Sequence, residues 1–410
     1  MAKNISKDVF LYFSVFYILY VTLPLIRAVL PISTQFVSII VTISVLLTNP
    51  KAFNSRSTIW LLLYLTILLL YALAGKALTI SSISDDKGNF YKLFMEMAFI
   101  LPSFAIMRVS SYLNDKRVNK VLYYSSVLGL FVSFLYLIPL TFMDTNILRL
   151  SMHAEEYGMD PVFGAPRYSL MHAYIVFTPM AILAFLLHKG KMRLFYIIFS
   201  GALAYMIIRS YIATTIILLL GVIVAAFLRG SGKRESQGLR FVVFCIVLLL
   251  FISLVGIKDL YDSISGYFEG SYAEIKVEQL GRALEGNDSG ENELTKRQAL
   301  HRISWMSFER NPIIGYPEIG NHSNILDRLG GMGLLCFVPY ILFIISIWRS
   351  FIHRLKGAPQ STFYYNLGCI IVIILLYEKG LFSYEGWSFF AVILPISAIY
   401  LAQQEVCKRT

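Results

Sequence analysis

Apolar residues along this chain gather in long unbroken runs, with neither the strict alternation of strands nor a sustained heptad stripe. A helix of roughly 20 apolar residues crosses the hydrocarbon of a bilayer, and about twelve runs approach that length. They lie near 9–30, 32–48, 58–75, 90–107, 121–142, 168–187, 194–208, 211–228, 241–257, 329–348, 362–378 and 386–402. The pattern predicts an all-α integral membrane protein with about twelve transmembrane helices, forming one polytopic domain over residues 1–410. The first run follows Lys3 and Lys7 and continues through Pro24, Arg27 and Pro31 without a small-residue cleavage pattern. It reads as a span, not as a removed signal peptide.

The polar positions between the runs set an orientation. Lys51/Arg56, Arg108/Lys116/Arg117/Lys120, Lys189/Lys191/Arg193, Arg229/Lys233/Arg234/Arg240, Arg349/Arg354/Lys356 and Lys408/Arg409 fall on one side if every run crosses. Lys and Arg in short loops mark the cytoplasmic side, so both termini are expected there. Two longer segments, 143–167 and 258–328, then face outward. The second holds 12 of the chain's 25 acidic residues and 8 of its 36 basic ones, which makes it a mixed, structured loop and not a polybasic tail.

Composition agrees with the runs: 57% of residues are hydrophobic and 15% charged, a balance unsuited to a water-soluble domain. The net charge of +11 largely records topology and gives no argument for a nucleic-acid partner. Cys245, Cys336, Cys369 and Cys407 lie in or beside spans or in the tail and form no Cys-x-x-Cys, which argues against disulfides and a structural zinc site. Walker-type loops, His-Glu-x-x-His and Gly-x-Ser-x-Gly are absent, so nucleotide-driven and hydrolase chemistries lose their basis. The adjacent carboxylates Asp85 and Asp86 stand before Lys87, Gly88 and Asn89, which complete an ordinary turn. No metal site is expected.

What remains for chemistry is a set of arginines and histidines at the outer boundary. Arg167 stands in "FGAPRYSLMHAYI", and Arg209 splits the apolar sequence from 194 to 228. An arginine within a span is costly unless it meets an anion or a cavity, though snorkelling to the headgroups would also accommodate it. In "NDSGENELTKRQALHRISWMSFERNP" a cap near Asn292 begins a helix that Asn311-Pro312 ends. Arg297 and His301 lie one turn apart on one side of that helix, with Arg302 beside them. His322 stands in "GNHSN", before Asp327 and the glycines 330, 331 and 333. A neutral imidazole there can take a proton from a hydroxyl group, and His301, His172 and His153 are rivals for the role.

The stretch 297–335 resembles the signature of the O-antigen polymerase and O-antigen ligase superfamily, which includes Wzy-type polymerases and lipid A-core ligases. That signature has an arginine opening a periplasmic helix, an Asn-Pro-x-x-Gly turn, and His-Asn or His-Ser before a Gly-rich helix start. Here it reads Arg297, "NPIIG" at 311–315, "HSN" at 322–324 and "LGGMGLL" at 329–335. The resemblance implies a GT-C-like glycosyltransferase of the bacterial inner membrane, with a large late periplasmic loop containing short amphipathic helices. It implies an undecaprenyl-diphosphate-linked oligosaccharide donor, no nucleotide sugar and no cofactor. Membrane lipids, a chain-length regulator and a flippase are the implied partners. His322 is then the base, and Arg297 and Arg209 face the diphosphate. Arg167 and Arg302 complete an arginine rim, with His301, Asn324 and Asp327 as secondary candidates. Two positions depart from the family pattern: His301 replaces the aromatic usual four residues after the first arginine, and Tyr211 replaces a small residue after the second.

Polymerisation of lipid-linked repeat units into O-antigen or a related surface polysaccharide is the expected function. The alternatives are ligation to lipid A-core, a glycolipid flippase or other transporter, and a non-catalytic assembly partner. A transporter would concentrate polar features near mid-membrane in two related halves, whereas here they concentrate in late outer loops. The charge asymmetry yields a direct test. Reporters fused near Ser236 and Gln360 are expected to signal cytoplasm, and those near Thr145 and Asn287 the outside. An inside signal at Asn287 would separate the site from any translocated substrate.

Overall fold

The computed structural model describes residues 2–30, 32–78, 87–143, 147–148, 168–210, 212–229, 293–378 and 384–408. Every regular element among them is helical, so the chain is an all-α membrane protein. In chain order they are α1 (Ala2–Thr22), α2 (Pro24–Val29), α3 (Thr34–Thr48), α4 (Arg56–Leu73), α5 (Asn89–Leu113), α6 (Lys116–Met143) and α7 (Tyr168–Leu187). There follow α8 (Gly190–Arg209), α9 (Ala213–Arg229), α10 (Glu293–Arg310), α11 (Asn324–Ile352), α12 (Pro359–Glu378), α13 (Tyr384–Ser388) and α14 (Leu394–Cys407). Eight helical stretches among the described residues are long and apolar enough to cross a membrane, while Thr34–Thr48 and Thr214–Arg229 are apolar but shorter. The expected run at 241–257, the loop 143–167 apart from Met143 and residues 147–148, residues 258–292, Asp85, Asp86 and Arg167 lie outside the described residues.

Three boundaries differ from the sequence expectation. The first run divides at Leu23, whose extended backbone (φ −113°, ψ 95°) precedes Pro24, because the proline ring disfavours a helical residue before it. A π-helical turn over Phe389–Ile393 joins α13 to α14 within one buried span. The helix expected from 329 begins five residues earlier at Asn324, where Ser323 caps it by accepting from the Leu326 N–H at 3.2 Å.

The span through α13 and α14 and the helix α7 are the most deeply buried, and the others wrap them. Helix α7 packs on α8 and α12, α14 on α12, α6 and α7, α4 on α11, and α3 on both α1 and α5. One end of the bundle is sewn together by polar contacts between its short connections. Lys7 pairs with Asp115, Arg108 donates to Ala52 O, Arg354 donates to Ser111 O, and Glu405 accepts from the Gln360 and Ser361 N–H groups. The helix α10, the stretch from Asn311 to Ser323 and the close of α12 lie at the opposite end.

At that second end α11 is not continuous. Gly333 has φ 66° and ψ −179°, which breaks the helical ladder one turn inside the apolar stretch. Broken backbone at membrane depth must find partners within the protein. The turn after α10 supplies them: Leu334 N–H donates to Pro312 O at 2.8 Å, Leu335 N–H to Ile313 O at 3.0 Å, and Tyr316 N–H to Gly330 O at 2.8 Å. From α4, Tyr71 Oη donates to Met332 O at 3.1 Å, and Lys76, just beyond that helix, donates to Gly315 O at 3.0 Å. Gly315 also has positive φ (73°), and a Cβ built there would sit 2.5 Å from the backbone of Met332 and Gly333. The glycine of "NPIIG" and the last glycine of "LGGMG" therefore face each other because neither backbone leaves room for a side chain.

Below the break a buried polar network fixes the first turns of α11. Arg328 pairs with Glu96 of α5 at 2.9 Å and donates to Tyr64 of α4 and to Asn324 Oδ1. Tyr64 donates to Glu96 at 2.8 Å, Tyr340 donates to Asn324 Oδ1 at 2.8 Å, and the Arg328 guanidinium lies 4.4 Å from the Tyr340 ring centre. Breaking such a pair from one side leaves a buried charge uncompensated, at a cost of roughly 3–5 kcal/mol. Glu96→Ala is expected to destabilise the purified protein by about that amount in thermal or denaturant unfolding. Glu96→Met combined with Arg328→Met should recover most of the loss.

Candidate functional site

Helix α10 carries the candidate residues Arg297, His301 and Arg302, and its docking is encoded along one stripe. Arg297, His301 and Ser304 follow at i, i+4 and i+7, so they share a face. Ser304 is buried: its hydroxyl donates to Asp327 Oδ1 at 2.5 Å and accepts from the Gly320 N–H at 2.9 Å. Asp327 Oδ2 in turn accepts from the Ser323 N–H at 2.9 Å, next to His322. Ser307 donates to Glu318 O, and Arg310 pairs with the Glu318 carboxylate at 2.7 Å. Two glycines bring the backbones together: a Cβ at Gly320 would run into Leu300 O, and one at Gly330 into Ser304 O.

This docking carries His301 to the loop histidine. The His301 and His322 ring centres are 5.8 Å apart at an interplanar angle of 39°, and the ring of Tyr377, near the close of α12, lies 5.4 Å from His301. Arg297, His301 and His322 are all half-buried. Burial holds the His301 imidazole below the ordinary histidine value; the Glu378 carboxylate pulls it upward and the Arg297 guanidinium pushes it down. Neutral imidazole is the form able to accept a proton near pH 7.

The other sequence candidates sit elsewhere around this end. Arg302 is exposed on α10. Arg209 closes α8 and donates to Thr141 O of α6 at 3.1 Å. Asn324 and Asp327 are buried, and their oxygens are taken by the structural bonds described above, so they support α11 and the His322 loop. Among the described residues, no group of three or more His, Cys, Asp or Glu side chains could hold a metal ion.

Sequence reasoning missed Glu378, Tyr377 and the anchor Glu96. Glu96 had a usable signal, since an acidic residue inside an apolar span demands a partner. Glu378 had a weaker one, closing the run "IIVIILLYE" where any span end tolerates charge. Nothing in either local sequence names α10 or α11 as the partner.

Because the site depends on backbone contact at Gly330, Gly330→Ala must push α10 away from α11. Overpacking of this kind costs about 1–3 kcal/mol. The expected result is a lower unfolding temperature in detergent and faster proteolysis between α10 and α11, while Gly201→Ala, with open space around it, leaves both near the parent values. No protein-family model and no curated protein matches this chain, so its site is read from its own geometry.

Proposed function

We propose that the protein is a membrane glycosyltransferase that polymerises undecaprenyl-diphosphate-linked oligosaccharide repeats at the outer face of the bacterial inner membrane. The observation that carries this reading is the convergence of Arg297, His301 and His322 beside the clasped break in α11. The arrangement offers a cation, an imidazole that burial holds neutral at His301, and a second imidazole at His322 at one end of an apolar bundle, where a lipid-linked sugar would present its anomeric carbon. The motif resemblance over 297–335 points to the same chemistry.

In the proposed step, an acceptor sugar hydroxyl attacks the donor's anomeric carbon. The new C–O bond forms as the bond to the diphosphate breaks, and that electron pair departs on the diphosphate oxygen. The hydroxyl proton passes to His322. Arg297, aided by Arg209 and Arg302, meets the charge growing on the leaving group, and the motif resemblance alone assigns Arg167 the same role. A guanidinium suits this role because its charge does not titrate and its fork matches two phosphate oxygens. A cation placed in advance stabilises the transition state more than the ground state, which is what raises the rate.

Purified protein incubated with synthetic lipid-diphosphate repeat units should yield a ladder of longer glycans on the same lipid, and do so in EDTA. Transfer appearing only when lipid A-core is supplied would assign ligation, and movement of lipid without new glycosidic bonds would assign a transporter. Loss of a proton-accepting base commonly lowers rate by about 10²- to 10⁴-fold, the loss expected for His322→Ala in protein that remains folded. Arg297→Lys should retain part of the activity that Arg297→Ala loses, since lysine keeps charge without the fork.

A further inference from the structure

Glu378 and Tyr377 are the last two residues of α12, and Tyr377 is in ring contact with His301 at 5.4 Å. His301 also meets His322 at 5.8 Å, and its Nε2 is buried with no hydrogen-bond partner among the described residues. Among the described residues, the charged groups acting on this imidazole come from two helices: Arg297 on α10, one turn before it, and Glu378 on α12. Tyr377 and His322 are the titratable rings in contact with it, and Arg302, the next residue on α10, is exposed. A carboxylate and a guanidinium thus bias one half-buried imidazole in opposite directions.

We propose that Glu378 is a positioning residue of this site, supporting the positive charge that the His301–His322 pair carries once it has taken the acceptor's proton. The inference rests on the glycosyl-transfer reading. With the two rings 5.8 Å apart, the proton that leaves the acceptor hydroxyl places positive charge beside His301 as soon as His322 takes it. In the resting site Arg297 opposes that charge, and burial keeps His301 neutral. As the glycosidic bond to the diphosphate breaks, negative charge accumulates against Arg297 and cancels its repulsion. The attraction of Glu378 is then left unopposed at the moment the pair must accept a proton. Glu378 exchanges no proton itself, and the pair returns its proton to water once the product leaves.

The test uses the full chain in lipid nanodiscs. Diethyl pyrocarbonate acylates neutral imidazole, so the extent of labelling of the His301 peptide against pH, read by mass spectrometry, reports its protonation without any need for turnover. Removing the carboxylate removes an upward pull, so E378Q should move the labelling midpoint to lower pH, with E378D intermediate. In the polymer assay E378Q should lower kcat roughly tenfold, less than loss of a base, with KM near the parent value and the acidic limb shifted the same way. Should E378Q fail to fold, the E378D shift carries the test. A His301 midpoint unchanged by these substitutions overturns the inference whatever the activity. A shifted midpoint in protein whose parent makes no polymer removes the glycosyl-transfer reading instead, and with it the catalytic role of Glu378.

Discussion

The break at Gly333 is the constraint on which this end of the molecule depends. A helix interrupted in an apolar setting exposes N–H and C=O groups that lipid cannot satisfy, each at a cost of several kcal/mol. The chain meets the demand with the backbone of its own preceding turn, as Pro312 and Ile313 carbonyls receive the first N–H groups of the resumed helix. Such an arrangement permits almost no sequence freedom where the two backbones touch. Proline suits the clasp because its carbonyl accepts while its missing N–H leaves no donor to satisfy, and it ends α10 at the same point.

The clasp needs a fixed counterpart, and the Arg328 network supplies it. With Arg328, Glu96, Tyr64, Asn324 and Tyr340 joined, the first turns of α11 are held against α4 and α5 before the break is reached. The same α4 then contributes Tyr71 to the broken segment, and Lys76 follows from the residues just after it. Buried charge is weak evidence for stability in itself, because desolvation offsets much of the attraction. Its value here is directional: a planar guanidinium with partners on three helices admits one orientation of the short helix that precedes Gly333.

Much of this architecture was legible in the sequence, for identifiable reasons. Spans announce themselves by run length, and the stop at Asn311-Pro312 and the turn of "NPIIG" are local backbone preferences, so the end of α10 fell where the proline required. The stripe carrying Arg297 and His301 follows from helical periodicity alone. What the sequence withheld was pairing across distance. Glu96 and Arg328 are 232 residues apart, and no local pattern reports that their helices are neighbours. The glycines of 330–333 signalled a close approach without naming the partner, and an interruption inside an otherwise smooth apolar run leaves hydropathy unchanged. Asp327 illustrates the converse: its place beside His322 suggested chemistry, while its carboxylate is occupied in joining Ser304 to Ser323.

The ties also account for how two histidines from separate segments can be held within one site. Ser304, Ser307 and Arg310 secure the later turns of α10 to the loop that carries His322. An α-helix rises about 1.5 Å per residue and bends little over a few turns, so fixing its later half aims its earlier half. His301 and Arg297, one and two turns before Ser304, inherit their direction from the bonds made by Ser304, Ser307 and Arg310. The imidazole of His322 inherits its place from the same aspartate that receives Ser304. One carboxylate, Asp327, therefore sets both sides of the pair. That makes the His301–His322 separation a property of the docked α10 and loop together, with α12 entering from the side to add Tyr377 and Glu378.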